Sequence, residues 1–174
     1  MQFYVIQVKT RGEEKYKQRA ESVLKGIEAR LLWPRRNLRI RRRGQWIDTV
    51  APIFPSYVFL ETEEVTPYLY NSFRKIPGFY RFLQSNKNIT PLSNEDKEIL
   101  MHFLGFGEVV DKSFVIFDEN KKIKVVSGPL TTLEGLIVKV DRRKGRAKVK
   151  LDFYKNSYLI DFGFEALDNI EEYS

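Results

Sequence analysis

Cysteine is absent from this sequence of 174 residues, and histidine occurs only once. Without cysteine the chain has no disulfide framework and no thiolate nucleophile. A single histidine, His102, leaves too few ligands for a zinc site and no histidine-assisted nucleophile. His102 stands beside Phe103 on a predicted helix, where a surface position is the simplest interpretation. We therefore expect no enzymatic activity, no metal and no cofactor.

Long apolar runs are also absent. No stretch approaches the roughly 18 residues that a membrane helix needs. The apolar start, Met1 to Val8, is too short for a signal peptide and lacks a basic beginning and a small-residue cleavage site. We expect a cytoplasmic protein with no membrane partner, and nothing in the sequence requires more than a monomer.

Positive charge is abundant and clustered. The net charge is +7 and the pI is about 9.5, which favours a polyanionic partner. Six arginines fall between Arg35 and Arg43, and seven lysines or arginines fall between Lys139 and Lys150. Such clusters repel themselves unless water or a partner neutralises them, so nucleic acid is the favoured ligand.

Residues 1–105 predict helices on an antiparallel sheet. Phe3–Val8 is typical of a strand, and apolar residues at helical spacing predict a helix over 11–25 that starts at a Thr10/Glu13 capping box. Gly44 marks the turn of a basic hairpin over 36–50. A second helix is predicted over 64–73 and a third after Ser93, which pairs with Asp96 as a capping signal. The fold class expected here is α+β.

The pattern changes in the last third of the chain. From Lys122 onward, short apolar strands alternate with turn signals such as Gly128-Pro129 and Lys144-Gly145, which predicts a small antiparallel barrel. We predict a first domain over 1–106, a linker over 107–119 and a second domain over 120–174. The linker is too apolar for a free tether, and we expect it to pack on one of the domains.

Two basic segments are candidate nucleic-acid contacts. Alternation along the hairpin puts Arg39 and Arg41 on one side and Leu38 and Ile40 on the other, although a solvated ribbon remains an alternative. In the last third, Val138, Val140, Ala147, Val149 and Leu151 are expected to alternate inward. The cations forced outward form a predicted RNA-binding stripe: Lys139, Arg142, Arg143, Lys144, Arg146, Lys148 and Lys150.

An apolar strand with two aromatic side chains on one face is a candidate protein contact. Tyr57 and Phe59 share that face, and Val58 and Leu60 share the other. The strand is therefore either buried on both sides or presents aromatic residues to a partner.

Four motifs in order resemble the NusG family across nearly the whole chain. Phe3-Tyr4-Val5-Ile6-Gln7 is similar to the family's opening strand, and Phe54-Pro55-Ser56-Tyr57-Val58 resembles F-P-G-Y-V with Ser56 in place of glycine. Ile76-Pro77-Gly78-Phe79 resembles the turn before the fourth strand. Val126-Ser127-Gly128-Pro129-Leu130, followed by Leu133-Glu134-Gly135, resembles the KOW motif. The resemblance implies a NusG-type first domain and an SH3-like KOW barrel.

In that family the first domain binds the clamp helices of RNA polymerase and suppresses pausing. Matched positions imply a polymerase-binding set of Tyr4, Phe54, Pro55, Tyr57, Thr66 and Tyr68. Basic residues that would face the non-template DNA strand are Lys9, Arg11, Arg39, Arg41, Arg42 and Arg43. The KOW domain of the general factor recruits Rho or a ribosomal protein through a Phe-Gly-Arg turn. The matching Phe153-Tyr154-Lys155 lacks the glycine, so only Phe153 and Lys155 are carried over as a partner contact.

The heavy basic hairpin is most similar to the LoaP-type antiterminators of this family. That resemblance implies a factor that suppresses pausing and termination while its KOW domain contacts an RNA hairpin in the nascent transcript. Two alternatives stay open: a general NusG factor coupled to Rho or the ribosome, and a ribosome-associated RNA-binding protein that uses the KOW barrel alone.

Overall fold

A computed structural model describes residues 1–168 of the chain. The helices are α1 (Glu13–Leu24), α2 (Pro67–Arg74) and α3 (Asn94–Leu104), and a short 3-10 helix covers Glu134–Leu136. The strands are β1 (Gln2–Val8), β2 (Arg30–Leu32), β3 (Arg35–Arg42), β4 (Gln45–Pro52), β5 (Tyr57–Thr62), β6 (Phe79–Phe82), β7 (Gln84–Ser85), β8 (Asn88–Ile89), β9 (Val109–Val110), β10 (Ser113–Phe117), β11 (Ile123–Ser127), β12 (Ile137–Asp141), β13 (Arg146–Phe153) and β14 (Asn156–Ala166). Across residues 1–168, no helix is both long and apolar enough to cross a membrane.

The described chain divides into two compact units. The first contains Met1–Pro34 and Phe54–Glu98, and the second contains Arg35–Ile53 together with residues 99–168. The β3–β4 hairpin therefore groups with the C-terminal strands. The domain boundaries predicted from the sequence, at residues 106 and 120, describe separable domains rather than these compact units, and they stay a prediction.

The first unit is an antiparallel sheet with strand order β2-β5-β1-β6, covered on one face by helices. Alternation along β1 turns Ile6 and Val8 toward that face, where they pack with Tyr16 and Ala20 of α1. The Tyr16 hydroxyl donates to the backbone oxygen of Phe73 at 2.9 Å. Burial raises the pKa of Tyr16 because the phenolate would lose its hydration.

The start of α1 differs from the prediction. Gly12, not Thr10, occupies the N-cap position, and it makes no side-chain cap. Glu13 is buried, and its Oε1 accepts from the backbone nitrogen of Ser56 at 2.8 Å. The predicted Thr10/Glu13 capping box is wrong because a contact with a distant loop takes the Glu13 carboxylate. The cap of α3 is confirmed, since the backbone nitrogen of Asp96 donates to Ser93 Oγ at 3.1 Å.

The second unit is rich in strands. Its larger sheet has the order β11-β10-β14-β13-β12, and a smaller sheet has the order β4-β3-β9. The β10–β14 and β3–β9 pairs are parallel, and the others are antiparallel. Much of the segment predicted as a linker forms β9 and β10, which agrees with its apolar composition. Few helices and many strands in two units confirm the predicted α+β fold class.

Two residues of the second unit depart from their predicted positions. Val138 was expected to point inward, yet it is 55% exposed, because the β12–β13 register shifts between Ile137 and Lys139. His102 is half-buried rather than on the surface. Its Nε2 lies 2.8 Å from the backbone oxygen of Pro129 and must donate the bond, because a carbonyl only accepts.

The β3–β4 hairpin is fixed against β14 by a half-buried arginine and a glycine. The Arg36 guanidinium donates to the backbone oxygens of Pro52 and Asp161. Burial lowers the pKa of Arg36 to about 10, against the opposing effect of Asp161. A Cβ on Gly163 would lie 3.2 Å from the backbone oxygen of Asn37, so glycine permits the close approach of the two strands.

The KOW-like motif has a structural basis in Gly128. This residue has φ +99°, and a Cβ there would lie 2.6 Å from the Cα of Ser113. Ser113 is buried, and its Oγ accepts from the backbone nitrogen of Leu130 at 2.9 Å. The motif therefore joins the end of β11 to the start of β10, and any side chain at position 128 would separate them.

Gly128→Ala should lower the thermal unfolding midpoint by about 5–10 °C, since it combines a strained φ with backbone overlap. Differential scanning calorimetry measures this directly. Gly135→Ala is the matched control, because a Cβ at Gly135 meets nothing within 4 Å. Equal midpoints for the two variants would refute the proposed role of Gly128.

Candidate nucleic-acid interface

The turn between β12 and β13 presents exposed cations in a fixed backbone conformation. Asp141 Oδ1 accepts from the backbone nitrogen of Lys144 at 2.9 Å. That bond, helped by the Lys144 charge, lowers the pKa of Asp141 and keeps it ionised. Gly145 has φ +64°, and a Cβ there would lie 2.8 Å from the Phe164 backbone oxygen. The turn is therefore held from both ends, and Arg143 and Lys144 project from it exposed.

The β13 strand shows the predicted alternation. Ala147, Val149 and Leu151 are buried, so Lys148 and Lys150 lie on the outer face of the sheet. Lys148 stands opposite Lys139 on β12 and opposite Asp161 on β14. Three of the predicted cations thus share one face, on which Asp141 and Asp161 partly offset their charge.

Two predicted cations of the stripe make internal contacts. The Arg142 guanidinium lies 4.0 Å from the centre of the Phe117 ring, a close cation–π geometry. Arg146 Nη2 donates to the Arg39 backbone oxygen at 2.7 Å. These two side chains support the local structure, whereas Arg143 and Lys144 are positioned for an outside ligand.

The arginines of the hairpin are divided between its two faces. Arg39 and Arg41 are exposed and Leu38 is buried, which follows the predicted alternation. The Arg39 guanidinium lies 6.0 Å from the Trp46 ring centre. Arg42 and Arg43 are exposed at the hairpin tip, which turns through positive φ at Arg43 and Gly44.

Lys9 and Arg11 belong to the first unit. Both are exposed in the connection between β1 and α1. The backbone nitrogen of Lys9 donates to the backbone oxygen of Gly78, and Arg11 has φ +65°. Their predicted contact with DNA stays a prediction.

The predicted polymerase-binding residues fall on both faces of the first sheet. Tyr4 lies on the helix-covered face, and its hydroxyl donates to the Glu63 backbone oxygen at 3.4 Å. Burial, with the charges of Glu64 and Glu63, raises the pKa of Tyr4. Tyr57 lies on the other face, which it shares with Phe59.

The other four residues of the predicted polymerase-binding set lie in two places. Phe54 and Pro55 precede β5, and Thr66 and Tyr68 lie at the start of α2. Phe54 is buried in an edge-to-face contact with Phe59, with ring centres 5.7 Å apart, and Pro55 is exposed beside it. Thr66 caps α2 by accepting from the backbone nitrogen of Leu69 at 3.2 Å. Tyr68 follows it and is 61% exposed. The structure thus groups Phe54, Pro55 and Tyr57, while Tyr4 stands on the opposite face.

The two residues predicted as a partner contact of the KOW domain differ in burial. Phe153 is only 1% exposed, so its ring belongs to the interior. Lys155 is exposed in the turn before β14 and has φ +61°. Of the two predicted residues, Lys155 alone is accessible, and the contact stays a prediction.

Sequence reasoning missed the roles of Arg36 and Trp46. Arg36 was counted only as one of the six clustered arginines, although it stands two residues before Leu38 and so shares the inward face of β3. Trp46 stands opposite Arg41 and on the face of Arg39. The same alternation would have identified both. Within residues 1–168, no three histidine, aspartate or glutamate side chains are grouped so that they could hold a metal ion.

Comparisons with known proteins identify one family. The family model described as "Transcription termination factor nusG" matches residues 1–101. The transcription termination/antitermination protein NusG of Borreliella burgdorferi is 24% identical, covering 97% of this chain and 98% of its own. The NusG protein of Thermus thermophilus is 23% identical, covering 94% and 96%.

A solved structure shares the fold. The structure of Thermotoga maritima NusG, described as showing a domain interaction, has a TM-score of 0.60, 22% sequence identity and 93% coverage of both chains. Together with the family model, which matches more than half of the sequence, this likeness covers both units. The chain belongs to the NusG family.

Proposed function

We propose that the chain is a transcription elongation and antitermination factor that binds RNA polymerase through its first unit and RNA through its second. The exposed Arg143–Lys144 turn carries the RNA part of this proposal, because its cations project from a backbone held by Asp141 and Gly145. Family membership supports the polymerase part. The same proposal includes two separable domains, over residues 1–106 and 120–174, joined by a linker over residues 107–119.

The polymerase contact would centre on Pro55 and Tyr57. Pro55 is exposed and Tyr57 is half-buried, so both present apolar surface with little side-chain entropy to lose on binding. Phe54 supports them from below through its contact with Phe59. Such a surface suits the apolar side of the polymerase clamp helices.

The RNA contact would combine phosphate binding with recognition of a folded element. Arginine and lysine neutralise phosphates and supply affinity, while unpaired bases supply specificity. An RNA hairpin in the nascent leader transcript, as for a LoaP-type antiterminator, offers both. The proposed contacts to the non-template DNA are Arg39, Arg41, Arg42 and Arg43 of the hairpin, with Lys9 and Arg11.

A general NusG factor is the second candidate. Relatives that align over nearly the whole chain are described as termination/antitermination proteins without a specialised role. A general factor would bind RNA without preference for one hairpin and would take its second partner, Rho or a ribosomal protein, at the Phe153–Lys155 turn.

Tyr57→Ala should weaken polymerase binding about tenfold, the usual loss when an aromatic anchor is truncated. The full-length protein and core RNA polymerase are compared by biolayer interferometry. Tyr57 is preferred to Phe54 because truncating a fully buried phenylalanine would also destabilise the fold by about 3–5 kcal/mol.

Tyr80→Ala is the matched control, since Tyr80 is 57% exposed and lies outside the proposed surface. It should bind polymerase like the unaltered chain. Full binding by Tyr57→Ala would show that the polymerase contact lies elsewhere on the first unit.

Replacing Arg143 and Lys144 together by alanine should lower RNA affinity and flatten its salt dependence. Each lost phosphate contact removes about 0.7–0.9 from the slope of log K against log salt, so the double variant should lose about 1–2 units. Filter binding to a structured RNA across a salt series gives that slope.

The double variant Lys15→Ala, Arg19→Ala is the control, because both side chains are exposed on α1 and the change in net charge is the same. Its slope should stay unchanged. If the two double variants behave alike, RNA binding depends on net charge and not on the β12–β13 turn.

A further inference from the structure

A cleft of about 710 Å³ lies within the second unit, between the β3–β4 hairpin and the β12–β13 turn. The hairpin contributes Arg39, Trp46 and Asp48 to its wall, and the turn contributes Arg142, Arg143 and Lys144. This volume falls in the range of pockets that hold a small ligand. We call it the hairpin–turn cleft.

The walls of the hairpin–turn cleft are fixed by contacts already described. Arg146 Nη2 holds the Arg39 backbone oxygen at 2.7 Å, and Arg36 bonds backbone oxygens of β4 and β14. Gly163 brings β14 close to the Asn37 backbone. These contacts within the second unit hold the two walls of the cleft beside each other.

The chemistry of the cleft matches the parts of a nucleotide. Arg143 and Lys144 of the turn fit a phosphate, for which a guanidinium fork is a preferred donor. Trp46 is half-buried with Arg39 beside its ring, and bases stack on indole rings and on guanidinium planes.

A carboxylate in the cleft adds a preference among bases. Asp48 stands opposite Arg39 in the β3–β4 pair and so lies on the face of Trp46. Because an ionised carboxylate only accepts hydrogen bonds, it favours a base with an amino group. Adenine, cytosine and guanine carry one, whereas uracil offers only its N3–H, which lies between two carbonyl oxygens that repel a carboxylate.

We propose that the hairpin–turn cleft holds one unpaired RNA nucleotide with an amino-bearing base, stacked against Trp46 and anchored through its phosphate by the β12–β13 turn. The base must be unpaired, because pairing and stacking in a duplex cover the edge and the faces that Asp48 and Trp46 contact. This inference rests on the proposed RNA contact and adds the recognition of a single base to it.

Trp46 itself provides the readout. The chain has two tryptophans, so Trp33→Phe leaves Trp46 as the only one. Eight-nucleotide strands of RNA containing only A, only C or only U, and a blunt RNA duplex, are titrated into this variant of the full chain. The A and C strands should quench the fluorescence at concentrations about tenfold below the U strand, and the duplex should bind without quenching.

Two further variants identify the contacts. Trp46→Ala should weaken binding of the A strand about tenfold and leave duplex binding unchanged, while Trp46→Phe, which keeps an aromatic ring, should lose less. Asp48→Asn should reduce the preference for A and C over U. Thermal midpoints within 2 °C of the parent, about the shift that 1 kcal/mol produces in a chain of this size, confirm that the variants fold.

The outcomes separate this inference from the proposed function. Unchanged single-strand binding by Trp46→Ala, together with a flattened salt slope for the Arg143/Lys144 double variant, would overturn the cleft and keep the RNA contact. If Trp46→Ala leaves single-strand binding unchanged and the Arg143/Lys144 double variant leaves the salt slope unchanged, both the nucleotide site and the RNA contact are overturned. DNA strands of the same bases that bind as tightly as RNA would overturn RNA as the source of the nucleotide.

Discussion

The second unit depends on the hydrogen bonds of one half-buried cation, the Arg36 guanidinium. It joins the backbone oxygens of Pro52 and Asp161 and lies 5.8 Å from the Phe162 ring centre. A half-buried cation loses part of its hydration, and those carbonyl oxygens replace the lost water. Lysine could not replace it, since a single ammonium lacks the planar fork that reaches two carbonyls at once.

The positions of the surface cations follow from this contact. With Arg36 turned inward, the neighbouring positions of β3 turn outward, and Arg39 and Arg41 reach the exposed face. The backbone of Arg39 then receives Arg146 from β13, which ties the hairpin to the strand that follows the basic turn. The cations of two separate segments of the sequence thereby lie in one unit, where together they attract a polyanion.

Local patterns predicted most of the elements, and long-range contacts account for what they missed. The α1 helix and the β3–β4 hairpin were predictable because apolar spacing and a glycine turn act over a few residues. The capping box failed because Glu13 bonds Ser56, which lies 43 residues away. Val138 was misplaced because a register shift leaves no sign in the sequence. Among the candidate sites, the β12–β13 turn was predictable from its charge. The cleft was not, because it needs two segments about 100 residues apart.

We propose that one chain contacts both polymerase and transcript through different units. Photocrosslinking of the full-length protein in a stalled elongation complex, followed by mass spectrometry of the crosslinked peptides, tests this most directly. Peptides containing Tyr57 should crosslink to polymerase, and peptides of the β12–β13 turn should crosslink to the nascent RNA. Crosslinks from the turn to polymerase alone, with none to RNA, would contradict it.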